Sequence, residues 1–322
     1  MLKSQQFLTA FTKQKPSLKA WGELVKNKVL EHANLCGLTP QILSYRVKDE
    51  ESAIGKLARK NYINPIEDMT DLVGVRAVFT LSSDLLQIKS SLLNDESWNI
   101  TVSRDTNEEY LKKPNEFSYS SIHFEIRPKD TITIDKVEIP KACCCELQIR
   151  TLMQHTYAEV VHDSIYKGDW SAPPKANRFV ASSAALIETA DHLFCETVEL
   201  LEHEKKIRGP VLERLADLYK THINIQQYSN QELSLYILSH FSDRYEEESI
   251  INQIEKLLEQ HNFIIDRITS RQEASAFWEQ PVVLFIYFLA KEMKKRLLTH
   301  WPDADTADHV RAILTDFGIS TD

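Results

Sequence analysis

The chain has 322 residues, a formal net charge of −9 at pH 7 and only 7 glycines. Because the glycines are few and widely spaced, the sequence excludes a glycine-rich dinucleotide fingerprint and a Walker A loop, so side chains must hold any bound phosphate. The spacing of the 5 cysteines fits neither a zinc site nor a disulfide framework, and no apolar run is long enough to span a bilayer, so we expect a cytoplasmic protein with no membrane partner.

The N-terminal segment of the chain is predicted to be helical. Apolar residues recur at helical spacing over residues 17–38, and Gly37 is a typical helix end. Thr39-Pro40 is predicted to open a second helix over residues 41–62, because proline is favoured at the start of a helix.

Four segments then show the β-branched residues or the polar–apolar alternation of strands. They are Leu72–Thr80, Trp98–Arg104, Tyr119–Arg127 and Cys143–Arg150. A helix is predicted between the first two, over Leu81–Leu93, and helical spacing returns from Leu152 to about Arg208, with a break at Ser171–Pro174. This order predicts an α+β domain over residues 1–208, in which helices flank a mixed sheet.

Gly209-Pro210 is predicted to be the domain boundary. The segments that follow have helical patterns: Val211–Tyr219, Gln231–Phe241, Glu246–His261, Ala274–His300 and Ala304–Phe317. Residues 209–322 carry 11 basic and 18 acidic residues, so they contribute −7 to the net charge. We expect an all-α accessory domain, and its acidity argues against broad nucleic-acid binding.

Basic residues are concentrated on the predicted helix over residues 41–62. The candidate phosphate ligands there are Arg46, Lys48, Ser52, Lys56 and Arg59. Like charges four residues apart cost a few tenths of a kcal/mol in an isolated helix. A polyanion such as a triphosphate would compensate for that cost, whereas the alternative is a solvated helix face neutralised by nearby acidic residues.

Carboxylates precede one predicted strand and lie within another. Asp68 and Asp71 come just before the strand from which Arg76 projects, and Glu146 lies in the middle of the last strand. Carboxylates at the mouth of a strand suit Mg²⁺, although aspartate also favours strand ends for backbone reasons. Glu146 needs a metal or a partner, for which Arg150 is a candidate.

An aromatic residue, small hydroxyls and a histidine alternate in the third predicted strand. Tyr119, Ser121 and His123 would share one face, which could stack on a base and bind its sugar or phosphates. An exposed antiparallel strand would show the same alternation without a ligand. Farther along, His155, Glu159 and His162 share a helix face, but their spacing is not that of a zinc protease.

Taken in order, these segments resemble the synthetase domain of the RelA/SpoT family. The matching segments are YRVKDEESAIGKLARK, DLVGVRAVF, KPNEFSYSSIHFEI and CELQIRTLMQHTYAEVVHDSIYKG. The resemblance implies transfer of the β,γ-pyrophosphate of ATP to the 3′-hydroxyl of GDP or GTP, which yields (p)ppGpp and AMP, with Mg²⁺ as the cofactor.

The resemblance also implies a role for each matching residue. The implied ATP ligands are Arg46, Lys48, Ser52, Lys56, Arg59 and Arg76. Asp71 would bind Mg²⁺, and Glu146 would bind Mg²⁺ or act as the base toward the 3′-hydroxyl. The implied acceptor ligands are Lys113, Asn115, Tyr119, His123 and Gln148, with Tyr119 stacked on guanine.

The acceptor segment departs from the K-x-N-G-Y pattern of the family. Here Lys113 and Tyr119 enclose two added residues, and Ser118 replaces the glycine. One alternative is therefore a toxic small synthetase that pyrophosphorylates the 3′-CCA end of tRNA or adenine nucleotides, with residues 209–322 as a built-in inhibitor. Another is an inactive sensor of guanine nucleotides. The sequence leaves open whether the chain forms a homo-oligomer.

Overall fold

The computed structural model describes residues 2–112, 117, 121–161, 172–223, 231–246 and 248–320. The chain divides into two compact units, Met1–Thr197 and Val198–Asp322. None of the helices within the described residues combines the length and apolar character needed to cross a bilayer.

The N-terminal unit begins with a long helix and continues into a strand. Helix α1 (Leu2–Leu35) buries Trp21 and Val25 in the core, and strand β1 (Ile42–Val47) precedes helix α2 (Glu50–Arg59). The prediction of a single helix over residues 41–62 is therefore wrong for its first part. Pairing of β1 along the next strand overrides the local helical pattern, and Asp49 caps α2 by accepting a hydrogen bond from the Ser52 N–H at 2.7 Å.

Six further strands follow in the N-terminal unit. They are β2 (Val73–Phe79), β3 (Trp98–Asp105), β4 (Ile122–Pro128), β5 (Ile132–Ile134), β6 (Val137–Ile139) and β7 (Cys145–Thr151). The main sheet has the order β1-β2-β7-β4-β3, in which β2 and β7 are parallel and the other pairs antiparallel. The predicted mixed sheet of an α+β domain is thus confirmed. The hairpin β5–β6 was not predicted; Asp135 and Lys136 form its turn with φ of 47° and 67°.

Helices cover one face of the main sheet and leave polar residues on the other. The remaining helices that begin in this unit are α3 (Pro65–Asp68), α4 (Ser82–Leu93), α5 (Thr106–Lys112), α6 (Leu152–Val161) and α7 (Pro174–His222). Alternate residues of β4 and β7, such as Phe124 and Leu147, are fully buried in one core with α1 and α4. Their neighbours in sequence therefore point to the opposite, polar face.

The C-terminal unit is helical, as predicted. Its further helices are α8 (Gln231–His240), α9 (Ile250–Gln260), α10 (Phe263–Arg271), α11 (Val282–Glu292), α12 (Lys294–Thr299) and α13 (Ala307–Asp316). The predicted helix over Ala274–His300 is wrong in its extent, because Pro281 caps the start of α11 and Met293 adopts φ −139°, ψ 38° between α11 and α12. The boundary predicted at Gly209-Pro210 lies inside α7, where the following Val211 is already buried in the C-terminal core.

Candidate active site

Strand pairing brings the separately predicted residues together on the polar face of the sheet. Residues that pair across neighbouring strands form rows that run across the sheet, and their side chains lie side by side. The first row contains Arg46, Gly74 and Glu146, and the second contains Ser44, Arg76, Gln148 and His123. Residues separated by about a hundred positions in the chain thus form one continuous surface on β1, β2, β7 and β4.

A cavity of about 300 Å³ opens over these rows. Its lining comprises Ser44, Arg46, Lys48, Asp71, Gly74, Val75, Arg76, Glu146 and Gln148. A Cβ atom at Gly74 would lie 3.5 Å from the Glu146 carbonyl oxygen, which is an ordinary contact, so packing of the two strands does not demand glycine. The missing side chain instead leaves room in the cavity between Arg46 and Glu146.

Asp71 joins the basic residues of the site. Its Oδ2 accepts from the Lys48 and Lys56 ammonium groups, each at 2.7 Å, whereas its buried Oδ1 has no hydrogen-bond partner among the described residues. Burial raises the pKa of the Asp71 carboxyl, but the hydrogen bonds and charges of both lysines outweigh it and hold that pKa below its ordinary value. Asp71 is therefore ionised near neutral pH and has one oxygen available for a ligand.

The basic residues do not form the predicted helix face. Arg46 lies in β1, Lys48 lies between β1 and α2, and Lys56 meets Lys48 at the carboxylate of Asp71. Ser52 and Arg59 are exposed on α2 and are absent from the cavity lining, and the Arg59 Nε donates to the Gly55 carbonyl at 3.2 Å.

Asp68 binds backbone groups, which was the alternative role for an aspartate just before a predicted strand. Its Oδ2 accepts from the backbone N–H groups of Ile63 and Asn64 at 3.0 and 2.8 Å. Asp68 therefore stabilises the turn that leads into α3, whereas Asp71 alone of these two carboxylates lines the cavity.

Glu146 is held by hydrogen bonds on both of its carboxylate oxygens. His123 Nδ1 lies 3.2 Å from Oε1, and the Gln148 amide donates to Oε2 at 2.9 Å. Burial raises the pKa of Glu146, but the hydrogen bond and the charge of His123 outweigh it, so that pKa is below its ordinary value. Arg150, predicted as a partner for Glu146, donates to the Gln148 Oε1 and so orients the amide toward the carboxylate.

Arg76 has an acidic partner that the sequence did not identify. Its Nη1 donates to the Glu159 Oε1 at 2.8 Å, and His155 Nδ1 lies 3.7 Å from the same oxygen. The sequence signal for this pair was the helix face that His155 and Glu159 share. That face suggested a zinc site rather than an ion pair with an arginine. His162 lies outside the described residues, and no group of three metal-binding side chains occurs in the part of the chain that the structure describes.

Three of the predicted acceptor ligands, Lys113, Asn115 and Tyr119, lie outside the described residues. The other two, His123 and Gln148, meet at Glu146 on the polar face. The described donors suit a hard divalent cation, because two ionised carboxylates, Asp71 and Glu146, line the same cavity and one Asp71 oxygen has no hydrogen-bond partner within the described residues.

Comparisons with known proteins agree with this architecture. Residues 45–170 match the family model described as "Region found in RelA / SpoT proteins". GTP pyrophosphokinase YjbM of Bacillus subtilis strain 168 is 26% identical over 178 residues, which cover 55% of this chain and 75% of the relative.

A solved structure resembles the same part of the chain. The crystal structure of small alarmone synthetase 1 from Bacillus subtilis matches with a TM-score of 0.50 and 22% identity, over 62% of this chain and 98% of that one. The likeness shows that the two chains share a fold. Residues 45–170 are therefore similar to the region that RelA and SpoT proteins share.

Proposed function

We propose that the chain is a pyrophosphokinase that transfers the β,γ-pyrophosphate of ATP to the 3′-hydroxyl of GDP or GTP. One observation carries the proposal: a single cavity combines two ionised carboxylates, Asp71 and Glu146, with the basic residues Arg46, Lys48 and Arg76. Phosphoryl-transfer enzymes need this combination, because catalysis there depends on positioning and on neutralising charge. The related GTP pyrophosphokinase supports the same reaction class.

The basic residues of the cavity are suited to bind ATP, which donates the pyrophosphate. Arg46 and Arg76 lie in adjacent rows of β1 and β2, and Lys48 and Lys56 approach from the side of α2. Lysine provides a mobile point charge for phosphate oxygens, whereas the planar arginine guanidinium can bind phosphate with two hydrogen bonds or stack on a base. We therefore assign these four residues to the ATP triphosphate and adenine.

Glu146 is the candidate base. In the proposed step, the 3′-oxygen of the acceptor bonds to the β-phosphorus of ATP, and the bond from that phosphorus to the α–β bridging oxygen breaks, which releases AMP. The hydroxyl proton passes to Glu146, which is ionised because its pKa is below the ordinary value. His123 and Gln148 hold the carboxylate in place for this transfer.

We assign Asp71 as the residue that would hold Mg²⁺. Its oxygen donors, its low pKa and the Oδ1 without a hydrogen-bond partner in the described residues fit this ion. When bound, Mg²⁺ would neutralise charge on the phosphate oxygens.

The proposal is tested by incubating the full chain with ATP labelled at the γ-phosphorus and one acceptor at a time: GDP, GTP, ATP or deacylated tRNA. We expect the label in GDP or GTP, with AMP as the co-product, and no transfer by Asp71→Asn or Glu146→Gln. Label only in tRNA or in an adenine nucleotide would instead assign the alternative acceptor. Absence of transfer with all four acceptors would contradict pyrophosphokinase activity.

A further inference from the structure

A chain of hydrogen bonds runs from a buried hydroxyl to the candidate base. The Ser121 Oγ lies 2.6 Å from His123 Nε2, and His123 Nδ1 lies 3.2 Å from the Glu146 Oε1. Ser121 is 1% exposed and so cannot itself reach a substrate. Within the part of the chain that the structure describes, its hydroxyl therefore acts on the site through the imidazole.

The backbone of Ser121 is fixed independently of its side chain. The Thr106 hydroxyl accepts from the Ser121 N–H and donates to the Ser121 carbonyl, both at 2.7 Å. Thr106 is also 1% exposed and begins helix α5. Because both backbone groups are bound, the Ser121 Oγ stands at a defined position just before strand β4.

Ser121 and Glu146 together orient the imidazole of His123. One ring nitrogen contacts the Ser121 hydroxyl at 2.6 Å, and the other contacts the carboxylate at 3.2 Å. Removal of the hydroxyl takes away one of these two contacts, so the ring is no longer held in the orientation that reaches Glu146.

We propose that Ser121 is a positioning residue for Glu146, because its hydroxyl holds the imidazole of His123 in the orientation that contacts the carboxylate. The inference rests on the proposed function insofar as Glu146 is taken as the base of the transfer. Ser121 thereby fixes the orientation of the imidazole and, through it, the position of the carboxylate. Sequence alternation placed Ser121 and His123 on one face but did not reveal this bond.

The first test reads the imidazole directly and needs no catalysis. The full chain is labelled with ¹⁵N, and the His123 ring nitrogens are assigned by their loss in His123→Asn. We expect the chemical shifts of the ring nitrogens to change in Ser121→Ala, which loses the contact to Nε2, and to stay close to the wild-type values in Ser121→Thr. An unchanged ring in Ser121→Ala would overturn the proposal even if pyrophosphate transfer is observed.

The second test separates positioning from folding. We expect Ser121→Ala to lower kcat by about 10–100-fold with an unchanged KM for ATP, and Ser121→Thr, which retains the hydroxyl, to restore most of it. In a His123→Asn background, Ser121→Ala should cost nothing further, since its effect passes through the imidazole. Equal losses in both backgrounds would indicate a merely structural role and overturn the proposal.

Thr151 provides the matched control. Its hydroxyl is fully buried in the same sheet and donates to Asp191 at 2.7 Å, outside the cavity. Thr151→Val should lower the melting temperature while leaving both kcat and the His123 ring unchanged. A change of the His123 ring in Thr151→Val would show that any lost buried hydroxyl disturbs it, and would contradict a specific role for Ser121.

Discussion

The ionic groups of the candidate site neutralise one another within the protein. Asp71 is shared by Lys48 and Lys56, and Arg76 is paired with Glu159. When a triphosphate binds here, its oxygens replace these carboxylates as the partners of the basic side chains. The binding energy is therefore the difference between two sets of ion pairs rather than the sum of the new ones.

The pair of Arg76 with Glu159 should weaken ATP binding. The Glu159 side chain is 52% exposed, and exposed ion pairs are worth about 0.2–1 kcal/mol, so Glu159→Gln should lower the KM for ATP by at most about fivefold. Initial rates at varied ATP measure this. Glu204→Gln, which removes the partner of Arg208 in the C-terminal unit, is the control and should leave KM unchanged. A higher KM in Glu159→Gln would show that the pair orients Arg76 for binding.

The lowered pKa values of the two carboxyls predict an effect of acid on stability. The ordinary pKa is 3.8 for Asp71 and 4.5 for Glu146, and both groups are held below these values in the folded chain. Such a group adds stability that is complete above its unfolded pKa and is lost as the pH falls through its folded pKa. The difference in melting temperature between wild type and Asp71→Asn should therefore be largest near neutral pH and shrink below about pH 4. A constant difference would refute this assignment.

At the scale of elements, local patterns predicted the strands better than the first helices. Strands β2, β3, β4 and β7 were all predicted within a few residues, because β-branched runs and alternation reflect the burial of one sheet face. Strand β1 was missed, since its residues take extended form only by pairing with β2 across the intervening α2 and α3. The pairing of Arg76 with Glu159 was missed for the same reason: it depends on how α6 lies against β2.

A substitution at Gly74 in strand β2 tests whether ATP occupies the cavity. Gly74→Ala should fold normally, because the added Cβ makes only an ordinary contact at 3.5 Å, but its methyl group should occupy space between Arg46 and Glu146. One methyl group in a binding pocket is worth about 10-fold or more, so we expect kcat/KM for ATP to fall by at least about that factor. Gly209→Ala in α7, where the Cβ meets nothing within 4 Å, is the control. Unchanged kinetics in Gly74→Ala would place the substrate elsewhere.

At the scale of the whole molecule, each unit has its own hydrophobic core. The core of the C-terminal unit surrounds α11, in which Val282–Ala290 are buried throughout, and the N-terminal core lies between the sheet, α1 and α4. Two cores predict two thermal transitions that respond to different substitutions. The inhibition of the synthetase by residues 209–322 stays a prediction of the sequence.

An ion pair in the C-terminal unit tests whether the two units unfold in separate transitions. Asp316 is 4% exposed and accepts from the Arg271 guanidinium at 2.6 and 2.8 Å and from the Tyr287 hydroxyl at 2.6 Å. Asp316→Ala removes the acceptor of the buried Tyr287 hydroxyl and of the partly exposed Arg271 guanidinium, and should destabilise this unit by about 3 kcal/mol. Calorimetry should show one transition lowered and the other unchanged, and exposed Asp308→Asn should change neither. A single transition that shifts as a whole would contradict two independent units.

The proposed reaction transfers the β- and γ-phosphoryl groups of ATP together, as one pyrophosphate. The most direct measurement compares ATP labelled at the β-phosphorus with ATP labelled at the γ-phosphorus, using GDP as the acceptor and the full wild-type chain. We expect both labels to enter the acceptor in equal amounts, with one AMP formed for each. Transfer of the γ label alone, with ADP as the labelled co-product of the β-labelled donor, would contradict pyrophosphate transfer and identify a phosphokinase instead.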